Sequence, residues 1–560
     1  MARFLFLLTC AFAVAGCADA AESQPAQKPP HSPDFSVGAQ SHFGQTWPRR
    51  DLELVRKLEV GHLRDTISWA ESETAPGKLA LPPEKLAILQ SACDRDVSLL
   101  LTVDPRNPVY DDGATAHSSA ATIAFAHFLV ALGKALPDCI DAFEIGNEVN
   151  SDKGLSVPPG QDRAATYAHL LARTYPAVKK VLPYVTILGG STNAVGTGFL
   201  DEIMSHGALA HMDAIAIHPY RDHAEGLEWE LANLSRTLTK HGTLKPVWAT
   251  EIGDERAGGG MGADAFVKLA ALLGSAGIER AYWYALKDQR WYPEMGLFTR
   301  DRSLKPAGRA FGFASRELLG RGRPIATGSD PLLKLYRFGE DRWVVWGSAR
   351  TIDLPEGAKA FDAQGTALQT LVSVNDSPTV IFGDRPKFGP AQVLADSALQ
   401  FGTAPWDYRA VQAGKTRKLA PLDTRYATRF GSRYLKPLYL SDTSGAALGE
   451  KAGSVTPEIG YHPAQSRDAG LRACLWSKRG KAARLDVVRE DASLGSVTTR
   501  TNDALILHNI ALTKGEPVLF RVEARDPSGD NVTFAYRFTL YRSGTAIPPC
   551  PAQPASWSAT

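Results

Sequence analysis

The sequence is poor in cysteine and has no clustered metal ligands. Only 6 of its 560 residues are Cys, and no Cys-x-x-Cys pair or Cys/His cluster occurs, so a zinc site has no support. Charge of one sign is not in excess either, because 62 Lys plus Arg stand against 60 Asp plus Glu. Nucleic acid is therefore not an expected partner. We expect no metal and no organic cofactor.

Long apolar runs are also absent, apart from a short one at the N-terminus. The first 17 residues, MARFLFLLTCAFAVAGC, predict an export signal that is too short for a membrane span. The segment 14–17 resembles the bacterial lipoprotein box, which favours a lipid anchor on Cys17. Cleavage after residues 18–20 is the alternative and leaves a soluble periplasmic or secreted protein. Residues 18–34 are rich in Ala, Gln, Ser and Pro and predict a flexible tether.

Four cysteines follow the signal, and an oxidising compartment permits them to form disulfides. Cys474 and Cys550 could brace the last domain. The sequence leaves the pairing of these two with Cys93 and Cys139 open.

Between residues 35 and 322, short strand-like runs alternate with longer helical patterns. The eight candidate strands are FSVGAQSHFG, GHLRDTISW, SLLLTVDP, DAFEIGNE, VTILGGS, MDAIAIHPY, PVWATEIG and IERAYWYAL. This alternation predicts parallel strands with crossover helices, and eight such units predict a (β/α)8 TIM barrel. A doubly wound sheet is the alternative, but the turn SHFGQTW lacks the glycine loop G-x-G-x-x-G.

Beyond the barrel the helical periodicity disappears and β-branched and aromatic residues alternate. Residues 328–385 predict a small β-module packed on the barrel. Residues 390–545 predict a C-terminal β-sandwich, and 546–560 a tail. The sandwich could bind carbohydrate through Trp406, Tyr408 or Trp476, or be purely structural.

Two glutamates, Glu148 and Glu251, each end an apolar run that predicts a buried strand. In a TIM barrel, the active-site residues cluster at the ends of the strands. Two carboxyl groups held about 5 Å apart are what a retaining glycosidase needs, one as acid and one as nucleophile. For Glu251 the structural alternative is a buried glutamate paired with an arginine.

Other polar or aromatic residues fall at the same predicted strand ends. Asn147 precedes Glu148 and could donate to a sugar hydroxyl. His218 and Tyr220 lie two residues apart, on one side of the sixth strand, and the phenol could hold the nucleophile. Arg64 could donate to Glu251 or pair with Asp65 instead. Trp283 offers a face for sugar stacking, with a core tryptophan as the alternative.

Four further residues are weaker candidates for sugar-binding subsites. They lie at predicted strand ends or in the loops that follow: His42, Trp69, Asn193 and Trp291 of the Trp291-Tyr292 pair.

Together these positions resemble glycoside hydrolase clan A, whose retaining (β/α)8 enzymes carry their two glutamates on strands four and seven. RDTISWAESETAPGKL and GLFTRDRSLKPAGRAF are similar to segments of family 39-like bacterial exopolysaccharide hydrolases. The resemblance implies that Glu148 is the acid/base and Glu251 the nucleophile, with Arg64, Asn147, His218, Tyr220 and Trp283 in support. The familiar Asn-Glu-Pro is Asn-Glu-Val here, which makes the family match looser than the clan match. The resemblance does not reach residues 390–560.

The sequence therefore predicts an exported, monomeric, retaining β-glycosidase that acts on a polysaccharide or oligosaccharide, with endo action favoured. The alternative is a protein on a glycosidase-like barrel that binds a polysaccharide, or assists exopolysaccharide assembly, without hydrolysing it.

Overall fold

The computed structural model describes residues 35–389, except for 152, 159, 221–223, 225–226, 243, 254–260, 329–332, 348–349, 371–372 and 376. Further along it describes residues 458–461, 467–477, 483–489, 492–512, 518–525, 534–542 and 549–550. The predicted signal, the tether, most of the tail, Trp406 and Tyr408 lie outside the described residues. Within the described part of the chain, no helix is long and apolar enough to cross a membrane.

Eight parallel strands form a closed barrel, which confirms the predicted barrel fold. The strands are β1 (Ser36–Gln40), β2 (His62–Thr66), β3 (Ser98–Val103), β4 (Ile140–Ile145), β5 (Thr186–Asn193), β6 (Ala214–His218), β7 (Val247–Ile252) and β8 (Arg280–Trp283). β1 pairs with both β2 and β8, which closes the sheet. Closure brings the carboxyl ends of all eight strands around one opening.

Helices connect the strands and pack around them. They are α1 (Leu52–Lys57), α2 (Trp69–Ser72), α3 (Pro83–Cys93), α4 (Ser119–Ala135), α5 (Arg163–Val181), α6 (Thr197–Ser205), α7 (Leu227–Lys240), α8 (Met261–Ser275) and α9 (Pro306–Glu317). On α4, Phe125, Leu129 and Leu132 recur at spacings of four and three residues and are fully buried, as a helix with one core-facing stripe requires. Ser118 begins this helix by accepting a hydrogen bond from the Ala121 N–H.

The interior of the barrel changes from apolar to polar toward the strand ends. An apolar plug consists of Leu100, Ala142, Leu188, Ala214, Ala216, Trp248 and Tyr282. Strand residues two apart share a face, so the polar residues Thr102, Glu144 and Thr250 follow plug residues on β3, β4 and β7. The strand pattern therefore places a floor of apolar side chains beneath a layer of polar ones.

A β-module follows the barrel. Its strands are β9 (Ile325–Ala326), β10 (Leu333–Phe338), β11 (Arg342–Gly347), β12 (Arg350–Asp353), β13 (Lys359–Phe361), β14 (Ser373–Val374), β15 (Thr379–Phe382) and β16 (Lys387–Phe388). They form a five-stranded and a three-stranded sheet. Phe313 of α9 packs against Phe361 and Phe382, with ring centroids 5.7 and 6.2 Å away. One apolar core therefore continues from the barrel into this module.

In the described C-terminal residues there are two antiparallel sheets, one of four strands and one of three. The strands are β17 (Glu458–Tyr461), β18 (Arg467–Ser477), β19 (Ala483–Arg489), β20 (Ala492–Thr499), β21 (Asn502–Leu512), β22 (Val518–Arg525) and β23 (Phe534–Arg542). That these sheets form a sandwich stays a prediction. Trp476 is only 3% exposed and packs with Cys474 and Cys550, so its ring is not open to a sugar.

Two disulfides settle the pairing that the sequence left open. Cys474 is bonded to Cys550, and Cys93 to Cys139. The second bond joins the end of α3 to the residue before β4, and so ties together two neighbouring units of the barrel.

Candidate active site

The guanidinium of Arg64, on β2, connects four acceptors at the open end of the barrel. Its Nε donates to Glu144 Oε2 at 2.7 Å, and its Nη1 donates to Gln40 Oε1 and Glu251 Oε1 at 2.6 and 2.5 Å. Its Nη2 donates to Asn147 Oδ1 at 2.8 Å. Arg64 is therefore bound to Glu251, and not to its sequence neighbour Asp65.

Asp65 has other partners. Its carboxylate accepts hydrogen bonds from Ser41 Oγ and from the backbone N–H groups of Phe43 and Gly44. Asp65 therefore stabilises the loop after β1. It does not compete for the Arg64 guanidinium, which binds residues at the strand ends.

Beneath this arginine lies a third glutamate, Glu144, which the sequence analysis did not single out. It is fully buried on β4, and its Oε1 accepts from Ser191 Oγ and Thr250 Oγ1 at 2.7 and 2.8 Å. Burial opposes its charge, but Arg64 and His218 outweigh burial and hold the pKa of Glu144 well below its usual range. Glu144 is thus a permanent buried anion that anchors both cations.

The two predicted catalytic carboxylates meet at one imidazole nitrogen. His218 Nδ1 lies 3.7 Å from Glu148 Oε1 and 3.7 Å from Glu251 Oε2. The two carboxylate oxygens can therefore be no further apart than twice that distance, although Glu148 lies in the turn after β4 and Glu251 lies on β7. His218 itself is fully buried, and its Nε2 lies 3.3 Å from Glu144 Oε1.

Three carboxylates around one imidazole favour the imidazolium form. Burial alone would lower the pKa of His218, but Glu251, Glu144 and Glu148 raise it to about 9. At neutral pH both ring nitrogens therefore carry protons, Nε2–H facing Glu144 and Nδ1–H facing Glu148 and Glu251.

The same imidazolium also affects the ionisation of Glu148. A neighbouring anion such as Glu251 should raise the pKa of an acid/base carboxyl. Burial does act in that direction, but His218 and the Asn193 amide more than offset it and lower the pKa of Glu148. The free protein therefore holds Glu148 ionised.

Glu148 also has an uncommon backbone conformation. Its φ is +51°, in the left-handed region that few residues other than glycine adopt. Asn193 Nδ2 donates to its Oε1 at 2.9 Å, and Asn150 clamps the Asn193 backbone through two further hydrogen bonds. The strained turn and the amide aim this carboxylate at the opening of the barrel.

Glu251 is held from two sides. Tyr220 donates from its hydroxyl to Glu251 Oε2 at 2.9 Å, and Arg64 donates to the other oxygen. Burial, followed by the charge of Glu251, raises the pKa of Tyr220 well above its ordinary value, so the phenol keeps its proton. Asn147 accepts from Arg64 through its oxygen, and its amide N–H₂ group, which has no acceptor among the described residues, can donate to a ligand.

A cavity of about 310 Å³ opens above this network. That volume lies at the lower end of the range for small-molecule pockets. Its lining residues are Gln40, His42, Gln45, Arg64, Thr66, Thr102, Asp104, Arg106, Asn147, Glu148, Lys153, Gly154, Glu251 and Tyr284. Both candidate catalytic carboxylates therefore face one space.

The predicted stacking residue on β8 is not in this cavity. Trp283 is fully buried, its ring packs on Phe266 at 5.6 Å, and its N–H donates to the Met295 carbonyl. Tyr282 belongs to the interior plug, so strand alternation turns Trp283 outward toward the helices. Tyr284, which was missed, lines the cavity instead.

The weaker candidates divide between the cavity and its surroundings. His42 lines the cavity and contacts Gln45 and Gln289 through its two ring nitrogens. Trp69 is buried behind the site and stacks on Tyr110 at 5.4 Å, so it offers no face to a sugar. Trp291 is 76% exposed and lies on the loop after β8, outside the cavity lining.

A metal centre finds no support in the part of the chain that the structure describes. No group of three or more His, Cys, Asp or Glu side chains there has the arrangement of a metal site.

Comparisons with known proteins agree with this geometry. The family profile described as glycosyl hydrolase catalytic core matches residues 138–311, which contain both Glu148 and Glu251. The chain resembles the family 39-like glycoside hydrolases of clan A. No curated protein matches the sequence.

Three solved structures are similar to this chain at low sequence identity, and the first of them shares its fold. A family 39 glycoside hydrolase from Bacteroides cellulosilyticus is 19% identical with a TM-score of 0.52, covering 63% of this chain and 81% of that one. A family 39 β-xylosidase from Caulobacter crescentus is 16% identical, with a TM-score of 0.46 and coverages of 63% and 96%. A glucosidase from Croceicoccus marinus is 14% identical, with a TM-score of 0.42 and coverages of 88% and 95%.

The raised pKa of His218 predicts a pH-dependent stability. A group whose pKa is higher in the folded state stabilises that state below its unfolded pKa, and this contribution is lost as the pH rises through the folded value. We therefore expect the free energy of unfolding to fall between pH 6.5 and about 9, by on the order of 3 kcal/mol. Urea unfolding at several pH values measures it.

The change of slope, and not the absolute stability, identifies His218. In His218→Asn the decline across this pH range should be much smaller, whereas the exposed His206→Asn should retain it. Parallel pH profiles for the unaltered protein and His218→Asn would contradict the assignment.

Proposed function

We propose that the protein is a retaining glycoside hydrolase that cleaves β-glycosidic bonds of an extracellular polysaccharide. The observation that carries this proposal is the shared cavity in which Glu148 and Glu251 both lie 3.7 Å from His218 Nδ1. One sugar carbon and its leaving oxygen can lie between two carboxyl groups arranged in this way.

In the first step Glu251 is the nucleophile. Its carboxylate attacks the anomeric carbon while Glu148 gives a proton to the departing oxygen, so the glycosidic bond breaks and a glycosyl ester forms on Glu251. Hydrogen bonds from Arg64 and Tyr220 fix the direction in which Glu251 attacks. The free amide N–H₂ of Asn147 donates to the sugar.

In the second step Glu148 acts as a base. It takes a proton from water, the water oxygen attacks the anomeric carbon, and the ester bond to Glu251 breaks. Two inversions at one carbon leave the product with the configuration of the substrate.

The lowered pKa of Glu148 is compatible with its acid role because His218 holds the required proton nearby. Moving one proton from His218 Nδ1 to Glu148 Oε1, now 3.7 Å apart, converts imidazolium and carboxylate into imidazole and carboxylic acid without any proton uptake. A sugar that displaces water from Glu148 disfavours its charged form and promotes this transfer.

The surroundings of the cavity favour endo action. Tyr292 contacts the cavity residue Tyr284 edge to face at 5.8 Å, and the neighbouring Trp291 is exposed beneath the Arg290 guanidinium. These aromatic residues extend from the cavity wall to the rim, as a surface that binds further sugar units of a chain would.

We also infer that the enzyme is exported and carries a lipid on Cys17, and that residues 390–545 form a β-sandwich. Support comes from the segment Val14-Ala15-Gly16-Cys17 and from the two C-terminal sheets. Cells fed an alkyne-labelled fatty acid should label the unaltered protein but not Cys17→Ser. Equal labelling of both would contradict the lipid anchor.

The nucleophile is tested by Glu251→Ala. With an activated aryl β-glycoside we expect hydrolysis to be abolished, because no ester can form. Azide fits the vacated space and attacks the anomeric carbon directly, so it should restore turnover and give a product of inverted configuration, identified by NMR. Unchanged hydrolysis would remove Glu251 from the mechanism.

Glu148→Ala is the matched comparison. An activated leaving group needs no proton, so the ester should form and accumulate, and azide should release it with retained configuration. On unactivated substrates the loss should be about 10²- to 10⁴-fold, the usual contribution of a general acid.

If the unaltered protein binds polysaccharides but never releases reducing ends, the alternative of a non-hydrolytic binding protein holds.

Endo action on a polymer is tested by Trp291→Ala. Stacking of a sugar on one aromatic ring contributes about 1 kcal/mol of binding free energy. Its loss should lower kcat/KM on a polysaccharide about fivefold and leave hydrolysis of a small aryl glycoside unchanged. Tyr184→Ala is the control, because Tyr184 is an exposed aromatic residue two residues before β5. Equal losses on both substrates would place Trp291 within the catalytic cavity instead.

A further inference from the structure

Lys153, on the loop after β4, lines the cavity together with both candidate catalytic glutamates. Its side chain is exposed. The sequence analysis did not single it out, and the chemistry proposed above does not use it. Because Lys153 lines the cavity, it would contact a group of a bound substrate.

The loop that carries Lys153 is closely packed on the catalytic strand. The Ser151 N–H donates to the Glu148 carbonyl at 2.9 Å, and Arg163 Nη1 donates to the carbonyls of Ser151 and Leu155. At Gly154 an added Cβ would lie 2.1 Å from the Glu148 carbonyl oxygen, so only glycine fits. The backbone of Lys153 is therefore held in place beside Glu148.

The other cations in the cavity wall are already bound. Arg64 is occupied by Glu144, Glu251, Gln40 and Asn147. Arg106 donates to both oxygens of Asp104, at 2.8 Å through Nε and 2.6 Å through Nη2. Among the described residues, no carboxylate lies within ion-pair distance of Lys153. Its ammonium group is therefore left for an anion that the cavity receives.

We propose that the cavity accepts an acidic sugar, a uronic acid residue whose carboxylate pairs with Lys153. This assignment rests on the proposed glycosidase function and adds the substrate class to it. A lysine is a point charge on a flexible stem, so it can follow a carboxylate on a pyranose ring without demanding the planar geometry that arginine requires. Beside Glu148, Glu251 and Asp104, an acidic sugar also needs such a cation to offset repulsion.

The test compares one polymer with its own neutral form. A panel of acidic and neutral bacterial exopolysaccharides is screened for release of reducing ends, and the best acidic substrate is then carboxyl-reduced, which turns each uronic acid into the neutral hexose. The linkages stay the same. We expect an acidic polymer to be the best substrate, and its reduction to lower kcat/KM about tenfold or more, the loss of one charge-assisted contact.

Variants assign this preference to Lys153. Lys153→Met should lose about the same factor on the acidic polymer and nothing on its reduced form, and Lys153→Arg should keep most of the preference. Lys134→Met is the control, because Lys134 is an exposed lysine in the last turn of α4, at the other end of the barrel.

Two results would overturn the assignment: hydrolysis confined to neutral polymers, or an equal loss by Lys153→Met on the acidic and reduced substrates. Both can occur while Glu251→Ala behaves as proposed, so this test can fail without the glycosidase proposal failing.

Discussion

The site depends on a single guanidinium that is buried at the open end of the barrel. Arg64 is 2% exposed and would be unstable there without partners, since an unpaired buried charge costs several kcal/mol. Its acceptors come from β1, from β4 and the turn after it, and from β7. These segments are distant in the sequence, so barrel closure and the arginine network require each other.

The charges around Arg64 are ordered by depth. Glu144, at the bottom, is ionised and binds both Arg64 and His218, which fixes the two cations in position. Glu148 and Glu251 lie above Glu144, and both face the positive charge of His218. Because His218 Nδ1 faces both, a change of charge on one carboxylate alters the proton affinity of the other through the imidazole. Two carboxylates with different roles can thus arise from one connected network.

Periodicity predicted the barrel because the eight strand-like runs alternate with longer helical patterns. The two glutamates, His218, Tyr220 and Arg64 could be singled out for a different reason, since polar and charged residues are seldom buried in a strand unless they are paired. The interior face of each strand was not predictable. A shift of one residue turns a side chain from the interior to the helices, and this explains why Trp283 is in the core and Tyr284 in the cavity.

Glu144 was not predicted for a related reason. It lies inside an apolar run, and from the sequence alone its side chain could equally have been exposed at the edge of a sheet. Its role depends on partners from β2, β3, β5, β6 and β7, which only the closed sheet brings together. Lys153 differs again, because it lies on a loop. The strand ends hold the two carboxylates in fixed positions, as the bond cleavage we propose requires, while loops carry the groups that can vary with the substrate. Lys153 has no ion-pair partner among the described residues and is exposed, so solvent can stabilise its charge, whereas an unpaired charge at the buried Arg64 would be costly.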